Sequence, residues 1–238
     1  MSSNFEIRKQ IKLDATPEQV WRAIATREGQ TAWSPDPDAI EQEGMEIERD
    51  EPNRLTVRTP TEANGSFHAF EYVIEAQDDS TTVLRFVHSG FLGEDWNDEF
   101  NYEEMTSYGW DMYLHTLAQY LTYFPDQPAT YIEATAPERS STKEAWTVLE
   151  KALGLTGPVE LGDAIELTPQ GLPPIRGIVD YIEPGEEFLA VRTDEGLFRF
   201  HSLAPMGMPI AVGHYIYRKV DRDAVTEQWR AWLERVFA

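Results

Sequence analysis

Residues 98–124 read DEFNYEEMTSYGWDMYLHTLAQYLTYF and are followed at once by Pro125. The stretch has no internal proline, an aspartate (Asp98) in the N-cap position and acids in its first turn, the start and stop signals of one long helix. At 100° per residue, Asp111, His115, Gln119 and Thr122 fall within about 80° of one another. Trp110, Tyr113, Leu114, Leu117, Tyr120, Leu121, Tyr123 and Phe124 fill most of the remainder. An ordinary surface helix carries an apolar stripe of roughly 100°. This one is about twice as wide, so a central helix, covered on two sides, is expected.

Upstream, Phe5, Ile7, Ile11 and Leu13 alternate with Glu6, Arg8, Gln10 and Lys12, the period of a strand with one wet face. Thr16-Pro17 then caps and starts a short helix carrying Val20, Trp21 and Ile24. Gly29 ends it, and a second short turn leads to Trp33 and the breaker run Ser34-Pro35-Asp36-Pro37. Four strands follow, marked by Met45 and Ile47, by Leu55 and Val57, by residues 66–76 (SFHAFEYVIEA) and by residues 81–89 (TTVLRFVHS). An antiparallel sheet meandering around the helix satisfies this order with short connections, giving an α+β class for the first half.

The chain has 238 residues, room for one large domain or two small ones. It carries 42 acids against 20 bases, a formal charge of −22, which repels phosphate backbones and anionic lipids. Nucleic-acid and membrane partners are therefore not expected. Hydrophobic residues make up 41% and the acids are dispersed, which argues against disorder. There is no cysteine, hence no disulfide and no thiol nucleophile. No apolar run of 18 residues and no cleavable leader pattern occur, so a cytoplasmic location is expected.

Three pieces in the first half carry a family resemblance: Ala15-Thr16-Pro17-Glu18-Gln19-Val20-Trp21 after the first strand, His88-Ser89-Gly90-Phe91 closing the last, and Gly109-Trp110 followed by Leu114, Leu117 and Leu121. In this order they resemble the START-related helix-grip (SRPBCC) superfamily over about residues 4–124, most nearly the branch of the activator of heat-shock-protein-90 ATPase. The glycine pair common before that branch's third strand is absent. The resemblance implies a helix-grip fold, in which a curved antiparallel sheet grips the helix around a cavity for a hydrophobic ligand. It does not imply one shared activity.

Pro125-Asp126-Gln127-Pro128 reads as a linker, dividing the chain into residues 1–125 and 126–238. Beyond it come a strand at 130–135, a helix at 143–153 capped from Ser140-Ser141-Thr142, and strand-like runs at 165–167, 175–182, 188–193, 197–203 and 210–220. A final helix at 223–237 ends the chain. This repeats the plan of the first half, and a second, diverged helix-grip-like unit is expected; an unrelated small α+β domain is the alternative.

No phosphate-binding glycine loop, Gly-x-Ser-x-Gly elbow or His-Glu-x-x-His helix is present. Paired acids such as Asp78-Asp79 and Glu103-Glu104 read as solvated turn and helix residues, since a working carboxylate must be buried or paired. Trp33 and Trp96 lie in or beside polar loops that open toward the inferred cavity. Three functions compete. The first is a binding module for a small apolar or aromatic molecule, with no cofactor and no catalytic constellation. The second is a cyclase or hydrolase using His68, His88 or Tyr102 as acid or base. The third is a protein that regulates a chaperone ATPase.

A three-residue loop at 77–79 would pair Ile74 with Thr82, Tyr72 with Leu84, Phe70 with Phe86 and His68 with His88, all on one face. Across from them the helix carries Tyr102, Thr106, Gly109 and Tyr113, and Gly109 leaves room where a side chain would stand. The expected pocket is lined by His68, Tyr72, Phe86, His88, Tyr102, Gly109 and Tyr113. The competing reading is a packed core in which the histidines bond to neighbouring groups. Two histidines without a third ligand do not predict a metal site.

Overall fold

A computed structural model describes residues 4–37, 42–96, 101–183 and 188–238. The chain divides into two compact units, Met1–Pro128 and Ala129–Ala238, each with one antiparallel sheet. The class is α+β. Among the described residues no helix is long and apolar enough to cross a membrane.

The first unit runs β1 (Asn4–Leu13), α1 (Pro17–Ala25), α2 (Arg27–Thr31), β2 (Glu46–Asp50), β3 (Arg54–Arg58), β4 (Phe67–Ala76), β5 (Thr82–Phe91) and α3 (Tyr102–Tyr123). Alternation in β1 buries Phe5, Ile7 and Leu13 and exposes Glu6, Arg8, Gln10 and Lys12. Lys9 sits on the buried face and reaches across to Asp111 of α3, Nζ to Oδ2 at 2.6 Å. Thr16 starts α1 as a capping box: its hydroxyl accepts from Gln19 N, and Gln19 Oε1 accepts from Thr16 N. The strand order is β1-β5-β4-β3-β2, so β1 closes beside the last strand made.

Asp98, the expected cap of the long helix, lies outside the described residues. Asn101 caps α3 instead, its Oδ1 accepting from Glu104 N at 3.2 Å. The buried residues of α3 are Leu114, Thr116, Leu117, Tyr120 and Leu121, which span an arc of roughly 160°. Asp111, His115, Gln119 and Thr122 lie outside that arc.

The β4–β5 register departs from expectation by two residues. Tyr72 stands opposite Phe86, Phe70 opposite His88, and His68 opposite Gly90. The connecting loop is five residues long rather than three. Gln77 N and Asp78 N both donate to Thr81 O, and Asp78 Oδ1 accepts from Ser80 N, so the turn extends through Thr81 before pairing starts at Ala76–Thr82. A slip of two keeps every side chain on its face. His68 and His88 therefore share one side of the sheet as diagonal neighbours.

The second unit runs β6 (Thr130–Thr135), a short 3-10 turn, α4 (Glu144–Ala152), β7 (Ala164–Leu167), β8 (Ile175–Glu183), β9 (Phe188–Arg192), β10 (Gly196–Leu203), β11 (Met208–Ile216) and α5 (Arg222–Val236). Its sheet order is β6-β11-β10-β9-β8-β7, again with the first strand beside the last and a terminal helix. Ile132, Leu149, Phe200, Val212, Trp229 and Trp232 belong to its core. Ser140 does not cap α4. Its hydroxyl donates to Pro137 O and accepts from Ile210 N, which ties the 3-10 turn to β11.

Candidate functional site

Trp110 is the hinge of the site's geometry. One turn of α3 before Leu114, it projects onto β4 and β5, its ring 4.2 Å from that of Phe86 and 6.0 Å from that of Phe70. Its indole N–H donates to His88 Nδ1 at 3.0 Å, and His88 Nε2 lies 3.0 Å from His68 Nδ1. An indole can only donate, so His88 Nδ1 must accept and His88 must carry its proton on Nε2. That proton then points at His68 Nδ1, which leaves His68 protonated on Nε2. Both rings are neutral, and the chain of donors runs Trp110 to His88 to His68.

Burial reinforces this state. It holds the His88 pKa down to about 3, with repulsion from a charged His68 adding to the effect, and it lowers His68 in the same direction. Phe5 closes over the pair, its ring 4.9 Å from His88 and 4.9 Å from Tyr102. Gly90 makes that possible: a Cβ there would stand 2.2 Å from Phe67 O and 3.0 Å from the Phe5 ring. With both nitrogens engaged inside the protein, His88 has none left for a proton transfer to a ligand. Among the described residues no group of three or more His, Cys, Asp or Glu side chains is placed to hold a metal ion.

Beside this cluster lies a cavity of about 180 Å³. Its walls come from four places: Gln30 in α2, Trp33 to Asp36 in the loop after it, Val57 with Phe70 and Tyr72 on the sheet, and Trp110 with Tyr113 on α3. Trp33 is buried and fixed by its indole N–H donating to Ala23 O at 2.9 Å. Gln30 is 3% exposed, and its Nε2 donates to Ile24 O at 2.8 Å, which fixes the amide's orientation. Burial raises the Tyr72 pKa, so its phenol stays protonated.

The expected site residues thus fall into groups. Tyr72 and Tyr113 line the cavity. His68, His88 and Tyr102 form the adjoining aromatic cluster with Phe5, and Trp96 packs edge-on to Tyr102 at 5.9 Å. Phe86 is fully buried beneath Trp110, between Tyr72 and the indole. Gly109 borders open space, since a Cβ there would meet nothing within 4 Å. Phe70 and Trp110 were not in the expected lining although the pattern held a signal for each. Phe70 lies between His68 and Tyr72 on one strand face, and Trp110 shares a helix stripe with Tyr113 at i, i+3.

No protein-family model matches the chain, and no curated protein sequence matches it. Among solved structures it is similar to the di-domain ARO/CYC BexL from the BE-7585A biosynthetic pathway, at 12% identity and TM-score 0.41, over 95% of this chain and 88% of that one. It is similar to DynU16, from the dynemicin biosynthetic locus, at 17% identity and TM-score 0.38, over 97% and 95%. Aha1 from Colwellia psychrerythraea matches at 16% identity and TM-score 0.36, over 49% of this chain and 96% of its own. Identities and TM-scores this low carry no information on activity.

Proposed function

We propose that the first unit is a helix-grip binding module whose cavity between α2, β3, β4 and α3 takes a small, largely apolar molecule without transforming it. The observation that carries this reading is the cavity itself, about 180 Å³ walled by Trp33, Val57, Phe70, Tyr72, Trp110 and Tyr113. A packed core has few voids larger than water, and an apolar hole of roughly 150 Å³ already admits benzene. Drug-sized ligands use sites of about 300–1,000 Å³. The ligand is accordingly about one ring in size, with the Gln30 amide and the Tyr72 hydroxyl to orient it. Burying roughly 200 Å² of apolar surface is worth on the order of 5 kcal/mol, a Kd between about 0.1 and 1 mM.

Among the described residues no carboxylate bonds to either histidine, and this, together with the full engagement of His88, favours binding over acid-base chemistry. The shared strand path of the two sheets supports a further reading, that Ala129–Ala238 is a diverged unit of the same plan. The test of the cavity is a size series. Compounds of one ring should raise the unfolding temperature of the full chain in a saturable way and three-ring compounds should not. Val57→Phe, which fills the cavity, should abolish the response while the protein remains folded by circular dichroism. An equal response in Val57→Phe would refute the assignment.

A further inference from the structure

We infer that the molecule this cavity takes is an organic cation, an ammonium carrying small alkyl groups. This deepens the reading of the cavity as a ligand site and rests on it. Three features of the lining point the same way.

The first is charge. Among the described lining residues, Asp36 at the exposed rim is the one acidic side chain, and none is lysine, arginine or histidine. The second is the fate of the donors. The Trp33 indole N–H is spent on Ala23 O and the Trp110 indole N–H on His88, and one of the two Gln30 amide hydrogens goes to Ile24 O. The Ser34 hydroxyl is committed to the backbone of Asp36, accepting from its N–H and donating to its carbonyl. With both indole N–H groups spent, the described lining is mainly aromatic surface, and the Tyr72 and Tyr113 hydroxyls are neutral groups that donate or accept, an environment that suits a positive charge better than a carboxylate.

The third is the tilt of the rings. Phe70 and Trp110 are inclined at 62° with centroids 6.0 Å apart, and Trp110 and Tyr113 at 69° with centroids 6.2 Å apart. A flat ligand stacks best between parallel walls. Inclined walls cannot sandwich a flat ligand and suit a rounded one, the shape of an alkylated ammonium group. The net charge of −22 adds long-range attraction for a cation.

A matched pair of probes separates charge from shape. Choline and 3,3-dimethylbutan-1-ol have the same outline and differ in a quaternary nitrogen against a quaternary carbon. Titrated into the full chain at low salt and followed by calorimetry, choline should bind at least tenfold more tightly than the alcohol. Its affinity should fall severalfold in Asp36→Asn, an exposed position, and in Phe70→Leu, and it should weaken with added salt. Equal or tighter binding of the alcohol, or binding of the alcohol or toluene without choline, would overturn the cation while leaving the cavity as a site. Choline binding unchanged in both variants would place it elsewhere on the surface and overturn the inference. No response to choline, the alcohol or toluene would remove the cavity reading and this inference together.

Discussion

The Trp110 indole N–H donates to His88 Nδ1 at 3.0 Å, a side-chain bond that fastens α3 to β5 where the cavity meets the aromatic cluster. It also settles two tautomers, because the donor-only indole forces the proton of His88 onto Nε2 and toward His68. Trp110→Phe keeps most of the ring and removes the donor. The buried acceptor left behind should cost about 1–3 kcal/mol in urea unfolding. The imidazole ¹⁵N spectrum should change from one tautomer to a mixture. A loss below about 0.5 kcal/mol with an unchanged spectrum would contradict the network.

Acid should destabilise the protein through its buried histidines. Burial holds the His88 and His214 pKa values at about 3 in the folded state, against about 6.5 in an unfolded chain. Between those values the unfolded state binds more protons, so stability rises with pH there. The contribution is complete above pH 6.5 and is lost as the pH falls toward 3, by about 1.4 kcal/mol per pH unit for each histidine. His214 is fully buried, its Nδ1 accepting from Arg199 N and its ring edge-on to Trp229 at 4.6 Å. Urea unfolding of wild type and His214→Phe at pH 7 and pH 4.5 should therefore show a shallower pH dependence in the variant. Parallel pH profiles would refute the assignment.

Two glycines should respond in opposite directions to alanine. Gly90→Ala drives a methyl to 2.2 Å from Phe67 O, a backbone atom within the β4–β5 pair, and should destabilise by more than about 3 kcal/mol or prevent folding. At Gly109 a Cβ meets nothing within 4 Å, so Gly109→Ala should gain roughly 0.5–1 kcal/mol from helix propensity. Thermal unfolding of the two variants is enough to tell, and a destabilised Gly109→Ala would mean the space is filled.

In the second unit Arg199 and Asp180 form a buried bidentate pair, with N–O distances of 3.1 and 2.9 Å and side chains 2% and 3% exposed. Asp180→Asn removes the compensating charge and should cost about 3–5 kcal/mol. The double variant Asp180→Leu with Arg199→Met should recover most of it, because two buried charges are replaced by apolar volume. A double variant less stable than Asp180→Asn would contradict this.

Much of the fold could be read from the sequence because its signals are local. Alternation marked β1, β4 and β5, Thr16-Pro17 marked the start of α1, and Pro125 ended α3. The register could not be read that way, since it depends on how far the Asp78 turn runs before pairing resumes, and a slip of two leaves the hydrophobic pattern unchanged. Lys9 was hidden for the same reason: a charge on an inward position looks like an error until Asp111 is seen across from it. Of the expected lining, Tyr72 and Tyr113 face one space. Which aromatic residues wall that space and which pack around the histidines is decided by side-chain direction along α3, and spacing alone does not give it.

The most direct measurement of the central claim is an NMR titration of the full chain with a one-ring probe, toluene, read at the Val57 methyls and at the indole N–H signals of Trp33 and Trp110. The cavity predicts that these signals move together along one saturable curve in the submillimolar to millimolar range, and that Val57→Phe silences the indole responses. Signals that stay still, or shifts scattered over exposed residues with no common curve, would show that this space is closed to ligands.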